Sequence, residues 1–251
     1  MPITIARIAR YPVKGLNAEN LTRVMLEPGR ALPHDRRFAL AHGSTRFDPA
    51  APEWLAKTNF LMLMKNERLA ALDARFDAAT DELVVHRHGK PVAHGRLTEP
   101  MGRTVIEQFF AAYLGAEARG KPRLVEAPGH IFSDHRNPVL SILNRASVLD
   151  VERVAEAPVD PRRFRANLLI EGTAAWAEMG WVGREVAIGP ARLRVTAIID
   201  RCAATTVNPD TAQRDLNVPR LLQKGFGHVD CGVYAEVLTG GEIAVGDELA
   251  V

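Results

Sequence analysis

Apolar and polar residues alternate over short stretches at the start of the chain, and that alternation marks strands. Ile3, Ile5 and Ile8, with polar residues between them, predict a first strand. Val24-Met25-Leu26 ahead of Pro28-Gly29 predicts a second, and Phe38-Ala39-Leu40-Ala41 a third that ends at His42-Gly43-Ser44. Leu69 to Phe76 and Leu83-Val84-Val85, joined by an Ala79-Thr80-Asp81 turn, read as a hairpin, after which Gly89-Lys90-Pro91 turns the chain again. The period then changes. Val105, Phe109 and Ala112/Tyr113 recur at helical spacing, so a helix is expected over about Glu99 to Leu114 with Gly115 as its stop. Lys121-Pro122-Arg123 after Gly120 reads as a linker and sets a boundary near residue 120, in a chain whose halves can still interlock.

Beyond the boundary the short strand pattern returns. Val139 to Leu143, Leu168 to Ile170, Glu185 to Ile188, Arg192 to Ile199, Val233 to Leu238 and Glu242 to Val245 are expected strands. Gly189-Pro190 and Gly240-Gly241 are the turns, the second a two-residue hairpin signal. Ser147-Val148-Leu149-Asp150 opens a short helix with capping-box-like spacing, and Leu221 to Lys224 is one turn of amphipathic helix. Five or more short strands with tight turns point to a barrel or sandwich. The expected class is α+β, predominantly β.

Composition narrows the function classes. At 251 residues the chain is one large or two modest domains, and 32 basic against 30 acidic residues leave +2, which disfavours bulk nucleic-acid binding. Cys202 and Cys231 lie far apart, so a Cys-only zinc site or an iron–sulfur cluster held by this chain is excluded and a reducing compartment fits. Arg7 interrupts what would be a signal-peptide core, and no stretch approaches the length of a membrane span. A soluble, untargeted, cytoplasmic protein is expected. Phosphate-loop, dinucleotide, zincin and hydrolase-elbow motifs are absent. His86, His88 and His94 read as a solvated hairpin face, and Trp176 and Trp181 as core aromatics.

One loop stands apart. The run from Asp200 to Thr211 follows a strong strand and is rich in turn formers, so it leaves the sheet at a strand end. Arg201 beside Cys202 favours the thiolate, and soft sulfur suits a soft or high-valent metal. An inert buried cysteine is the alternative that the loop alone leaves open.

Arg201-Cys202-x-x-Thr205-Thr206-Val207-Asn208-Pro209-x-Thr211, the upstream Phe164-Arg165-x-Asn167 and Phe132-Ser133-Asp134, and the later Gly232-Val233-Tyr234 and Val245-Gly246-Asp247 resemble the MOSC domain. Tyr11-Pro12-Val13-Lys14-Gly15 and Asp35-Arg36-Arg37-Phe38 resemble the β-rich domain that precedes MOSC in the amidoxime-reducing family and its bacterial relatives. The resemblance implies an N-terminal β-rich domain over residues 1–120 and a MOSC β-barrel over 121–251. It implies a molybdenum cofactor of the molybdopterin type, with Cys202 as the protein ligand of molybdenum and Asp134 close to the metal. Lys14, Arg36, Arg165 and Arg201 would grip the anionic cofactor, with Ser133, Asn167 and Tyr234 at matching polar positions. Gly15 stands where these relatives commonly have serine, which removes a hydroxyl from the cofactor site.

The implied activity is a molybdenum oxidoreductase acting on N-hydroxylated or related N-oxygenated small molecules. Its electrons would come from a separate ferredoxin-, flavodoxin- or cytochrome b5-like partner with a reductase, and no nucleic acid or membrane is expected to take part. Two other functions share the motif set: a sulfur carrier with a Cys202 persulfide, serving cofactor sulfuration or metal–sulfur cluster assembly, and a cofactor-storage module without turnover.

Overall fold

The computed structural model describes residues 2–251. In chain order its strands and helices are β1 (Ile3–Arg10), β2 (Glu19–Leu21), β3 (Arg23–Leu26), β4 (Ala39–Ala41), β5 (Asp73–Asp77), β6 (Glu82–Arg87), β7 (Lys90–Arg96), α1 (Pro100–Leu114) and β8 (Arg123–Val125). There follow β9 (Leu140–Asn144), α2 (Arg145–Ala155), β10 (Leu168–Glu171), β11 (Glu185–Ile188), β12 (Ala191–Asp200), α3 (Val218–Phe226), β13 (Asp230–Thr239), β14 (Gly241–Ala244) and β15 (Glu248–Ala250).

Seven of these strands form a closed barrel in the order β10-β9-β13-β12-β11-β15-β1, with β1 returning to β10. The alternation read from the sequence is what fills it. On β12, Ala191, Leu193 and Val195 face inward between exposed Arg192, Arg194 and Thr196. Ile5, Ile8, Ile142, Ile170, Ile188 and Val233 join them in one core. Closure removes the exposed edges that an open sheet would present.

A second unit packs α1 against the antiparallel sheet β5-β6-β7. The helix buries Ile106, Phe110 and Leu114, four residues apart on one face, against Leu83, Val85 and Leu97. Gly95 and Gly102 let helix and strand touch, since a Cβ on Gly95 would lie 2.6 Å from the Gly102 Cα. Among the described residues no helix is long and apolar enough to cross a membrane.

The two halves interlock across residue 120. Strand β1 carries Ile5 and Ile8 into the barrel core and supplies the partner that the edges of β10 and β15 require. Strand β3 pairs with β14, and β8, which begins at Arg123 of the expected linker, pairs with β4.

Three local expectations need correction. Gly240-Gly241 makes no hairpin: β14 pairs with β3, and Gly240 is required because a Cβ there would lie 2.4 Å from the Leu26 carbonyl oxygen. Residues Glu67–Ala71 form a short helical turn, so the hairpin's first strand starts at Asp73 rather than Leu69. Helix α2 starts before Ser147, because the Asn144 side chain caps it by accepting from the Ala146 amide at 3.0 Å.

Candidate functional site

A cavity of about 330 Å³ opens where the barrel meets the N-terminal strands, and all ten residues singled out from the sequence line it. Lys14, Gly15 and Arg36 come from the N-terminal half. Ser133, Asp134, Arg165, Asn167, Arg201, Cys202 and Tyr234 come from the barrel half.

Backbone geometry explains how each arrives. Strand β12 ends at Asp200, and the Arg201 amide donates to the Val229 carbonyl at 2.9 Å, which directs the next residues across the barrel end. Cys202 then heads the short helical turn Ala203–Thr206, with its carbonyl accepting from the Thr205 amide at 3.1 Å and the Thr205 hydroxyl at 2.9 Å. Arg36 and Arg165 both hold left-handed φ values, 47° and 53°, that turn their side chains inward. Gly15, at φ 88°, takes the same region at no steric cost, and a Cβ there would meet the Leu61 carbonyl at 2.9 Å. The positive φ and that close approach both favour glycine here.

Several of the expected residues spend their hydrogen bonds on protein. Asn167 stitches three segments: its Oδ1 accepts from the Ser141 amide and hydroxyl, each at 3.0 Å, and its Nδ2 donates to the Ala9 carbonyl at 3.1 Å. The Ser133 hydroxyl donates to the His135 carbonyl at 2.6 Å, and the His135 ring packs 4.9 Å from Tyr234. Lys14 is buried and donates to the Phe132 carbonyl at 2.8 Å and to Asp134 at 2.5 Å.

The arginines are less completely paired. Arg36 bonds to Asp35 and donates to the Arg165 carbonyl at 2.9 Å. Arg165 donates to the Leu16 carbonyl at 2.7 Å, and Arg201 to the Cys231 and Phe164 carbonyls at 2.7 and 2.9 Å. Among the described residues no carboxylate lies within ion-pair distance of Arg165 or Arg201, and the buried Nη2 of Arg201 has no hydrogen-bond partner. Tyr11 lies between two guanidiniums, 4.5 Å from that of Arg36 and 4.2 Å from that of Arg165.

Charge balance follows from this pairing. Lys14, Arg36, Lys57, Arg165 and Arg201 face Asp35, Asp134 and Asp200, with Arg163 paired to Asp215 behind them, a surplus of cations on a partly enclosed wall. Burial lowers Arg165 to about 10, and the neighbouring Arg36 charge adds to the effect. Burial likewise lowers Lys14 against the pull of Asp134. For Asp134 burial works upward, but Lys14, then Lys57 and Arg36, outweigh it and hold the carboxyl at about 2. Asp134 is therefore an ionised acceptor at neutral pH and not a proton donor. Burial raises Tyr234, and it raises the Cys231 thiol to about 12, leaving Cys231 an inert core residue.

Sequence reading missed Lys57. Its ammonium lies 3.5 Å from Asp134, and Asp134, Cys202 and Asp200 together hold its pKa above the ordinary value although burial, the largest single influence, acts to lower it. It sits in an aperiodic stretch before Phe60, where no pattern marks it. Arg163 was missed for the same reason: it lies buried under the Cys202 turn, donating to the Thr206 carbonyl at 3.2 Å and to Asp215 at 2.6 Å.

A buried cation surplus with an orphaned guanidinium nitrogen fits an anionic group, and a half-buried cysteine at the cavity wall fits a thiophilic metal. Comparison with known proteins bears on which. The family model of the MOSC domain matches residues 129–250. The chain is 35% identical over 85 residues to the mouse (Mus musculus) mitochondrial amidoxime-reducing component 1, a match covering 34% of this chain and 24% of that protein. It is 31% identical over 123 residues to the Bos taurus mitochondrial amidoxime reducing component 2, covering 44% and 36% of the two chains. A segment of 106 residues is 28% identical to the Bos taurus molybdenum cofactor sulfurase, covering 37% of this chain and 12% of that protein. The matched segments thus span about a third or less of those relatives.

Proposed function

We propose that this chain, whose residues 129–250 match the family model of the MOSC domain, binds a molybdenum cofactor of the molybdopterin type and reduces N-hydroxylated or related N-oxygenated compounds. The observation that carries the reading is the pair of arginines, half-buried Arg165 and buried Arg201, that lack carboxylate partners and line the same cavity as Cys202. A neutral ligand would leave those charges uncompensated. A phosphate-bearing cofactor supplies the missing anion, and hydrogen bonds to charged groups contribute roughly 1.5–3 kcal/mol each.

In this reading Arg165, Arg201 and Arg36 hold the anionic group, and Cys202 is the protein ligand of the metal. Lys14 acts one step back, fixing Asp134 through their hydrogen bond. Asp134, held ionised between Lys14 and Lys57, would accept hydrogen bonds from donors on the substrate, and the Lys57 ammonium would add positive charge beside it. Bound there, the cofactor supplies the two-electron chemistry that removes oxygen from nitrogen. Two electrons would come from a separate redox protein, and with two protons from solvent the oxygen would leave as water. The two unpaired cysteines suit a reducing compartment such as the cytoplasm.

The test is turnover. Full-length protein from a host that makes the cofactor, given an artificial electron donor, is expected to reduce a simple hydroxylamine or amidoxime, and Cys202→Ala to lose that activity. No turnover in molybdenum-replete protein, together with a stable Cys202 persulfide by mass spectrometry, would assign the sulfur-carrier function instead.

A further inference from the structure

The turn that carries Cys202 is gripped from two sides, and one grip has no part in the functional reading above. From the barrel side Arg163 holds the Thr206 carbonyl. From the other side Arg214, on the loop leading to α3, donates through Nη1 to the Ala203 carbonyl at 2.9 Å and the Thr206 hydroxyl at 2.7 Å. The Nη2 of the same guanidinium donates to the Leu63 and Met64 carbonyls and to the Glu67 carboxylate, each at 3.0 Å. One side chain thus ties the Cys202 turn to the N-terminal half of the molecule, and Leu63 and Met64 are themselves walls of the Cys202 cavity.

We propose that Arg214 is a positioning residue that fixes Cys202 relative to the N-terminal wall of the site, which carries Lys14, Gly15, Arg36 and Lys57. The inference rests on the reading of Cys202 as the metal ligand. It follows from geometry that a planar guanidinium can meet and an ammonium cannot: two nitrogens point in different directions, each serving one half of the chain. The halves supply opposite walls of the cavity, so the register between them sets whether the cysteine sulfur and the anion-binding arginines fit one ligand. Arg214 is one-third exposed and outside both apolar cores. Its loss leaves the fold in place while the turn keeps its Arg163 anchor.

The experiment reads Cys202 directly. In full-length, cofactor-free protein at fixed pH, the alkylation rate of Cys202 is followed by mass spectrometry, with buried Cys231 resolved as a separate peptide. Arg214→Met is expected to raise that rate by about tenfold, because local opening of the turn becomes more frequent once its charged donors are gone. Arg214→Lys is expected to fall between wild type and Arg214→Met, and Glu67→Gln to stay near wild type, since the two carbonyls still accept. Loaded Arg214→Met is expected to retain less molybdenum per chain than wild type. A rise of less than about threefold in both Arg214 variants, with the fold intact by circular dichroism, overturns the proposal. The alkylation readout needs no metal. A wild-type protein that never carries molybdenum would defeat the functional reading while the strap is still judged by its own result.

Discussion

Two buried polar clusters in this protein are built in opposite ways. Under α2, the Glu178 carboxylate is fully buried and accepts from the Ser147 hydroxyl at 2.8 Å and from Asn144 Nδ2 at 3.0 Å. Asn144 also donates to the Ala174 carbonyl at 2.7 Å, and the Ser147 oxygen accepts from the Trp176 amide at 2.8 Å. These contacts pin β9, α2 and the segment at 174–178 together, and none of their side-chain polar atoms is left without a partner. The cavity cluster is open by contrast. Half-buried Arg165 and buried Arg201 have no carboxylate partner, and one Arg201 nitrogen has no partner at all. Closed networks of this kind serve the fold, whereas an open one holds free energy in reserve for a ligand that completes it.

The contrast can be broken most severely by cutting the chain. Residues 121–251 expressed alone lack β1, and with it Ile5, Ile8 and the partner of two barrel edges. That fragment is expected to show no cooperative unfolding transition, and a cooperative transition near that of the full chain would mean the barrel closes without its first strand.

The next largest effect separates the two clusters directly. Glu178→Ala strands the Asn144 and Ser147 donors in the core and is expected to cost roughly 3 kcal/mol of stability. Arg165→Met removes a half-buried charge that had no carboxylate partner, so cofactor-free stability should stay within about 1 kcal/mol of wild type while anion affinity falls. Urea unfolding of both variants checks the pair. Equal losses would erase the distinction between a closed and an open network.

The smallest effect is on the acid limb. Asp134 is held at about 2 against an ordinary 3.8, so its contribution to stability is present above pH 3.8 and is lost as pH falls through 2. Its side chain is 44% exposed, which keeps the contribution small. The urea midpoints of wild type and Asp134→Asn should differ at pH 5 and converge toward pH 2. A constant difference over that range would show that Asp134 is not held by its lysines.

How far the sequence reveals this arrangement depends on the distance over which each signal acts. Strand alternation and the helix ending at Gly115 are local, and both are visible in the chain. Strand partners are not local: Gly240-Gly241 looks like a hairpin turn, yet β14 finds β3 more than two hundred residues upstream, and β1 joins the barrel from the far end of the chain. The Asn144 cap is hidden because the residue ends a strand while it starts a helix. At the site, motif residues are legible because they recur in fixed order, and the fold gathers all ten on one cavity. Lys57 and Arg214 lie in aperiodic segments, and only tertiary contact gives them meaning.

In the function proposed above, the open cluster would be completed by a molybdenum cofactor whose metal Cys202 binds. Elemental analysis of full-length protein purified from a cofactor-producing host tests it most directly, with Cys202→Ala measured beside wild type. The expected result is about one molybdenum, with accompanying non-protein phosphorus, per wild-type chain and a large loss of molybdenum in the variant. Wild-type protein free of molybdenum, or a Cys202→Ala protein with undiminished molybdenum, would contradict the claim.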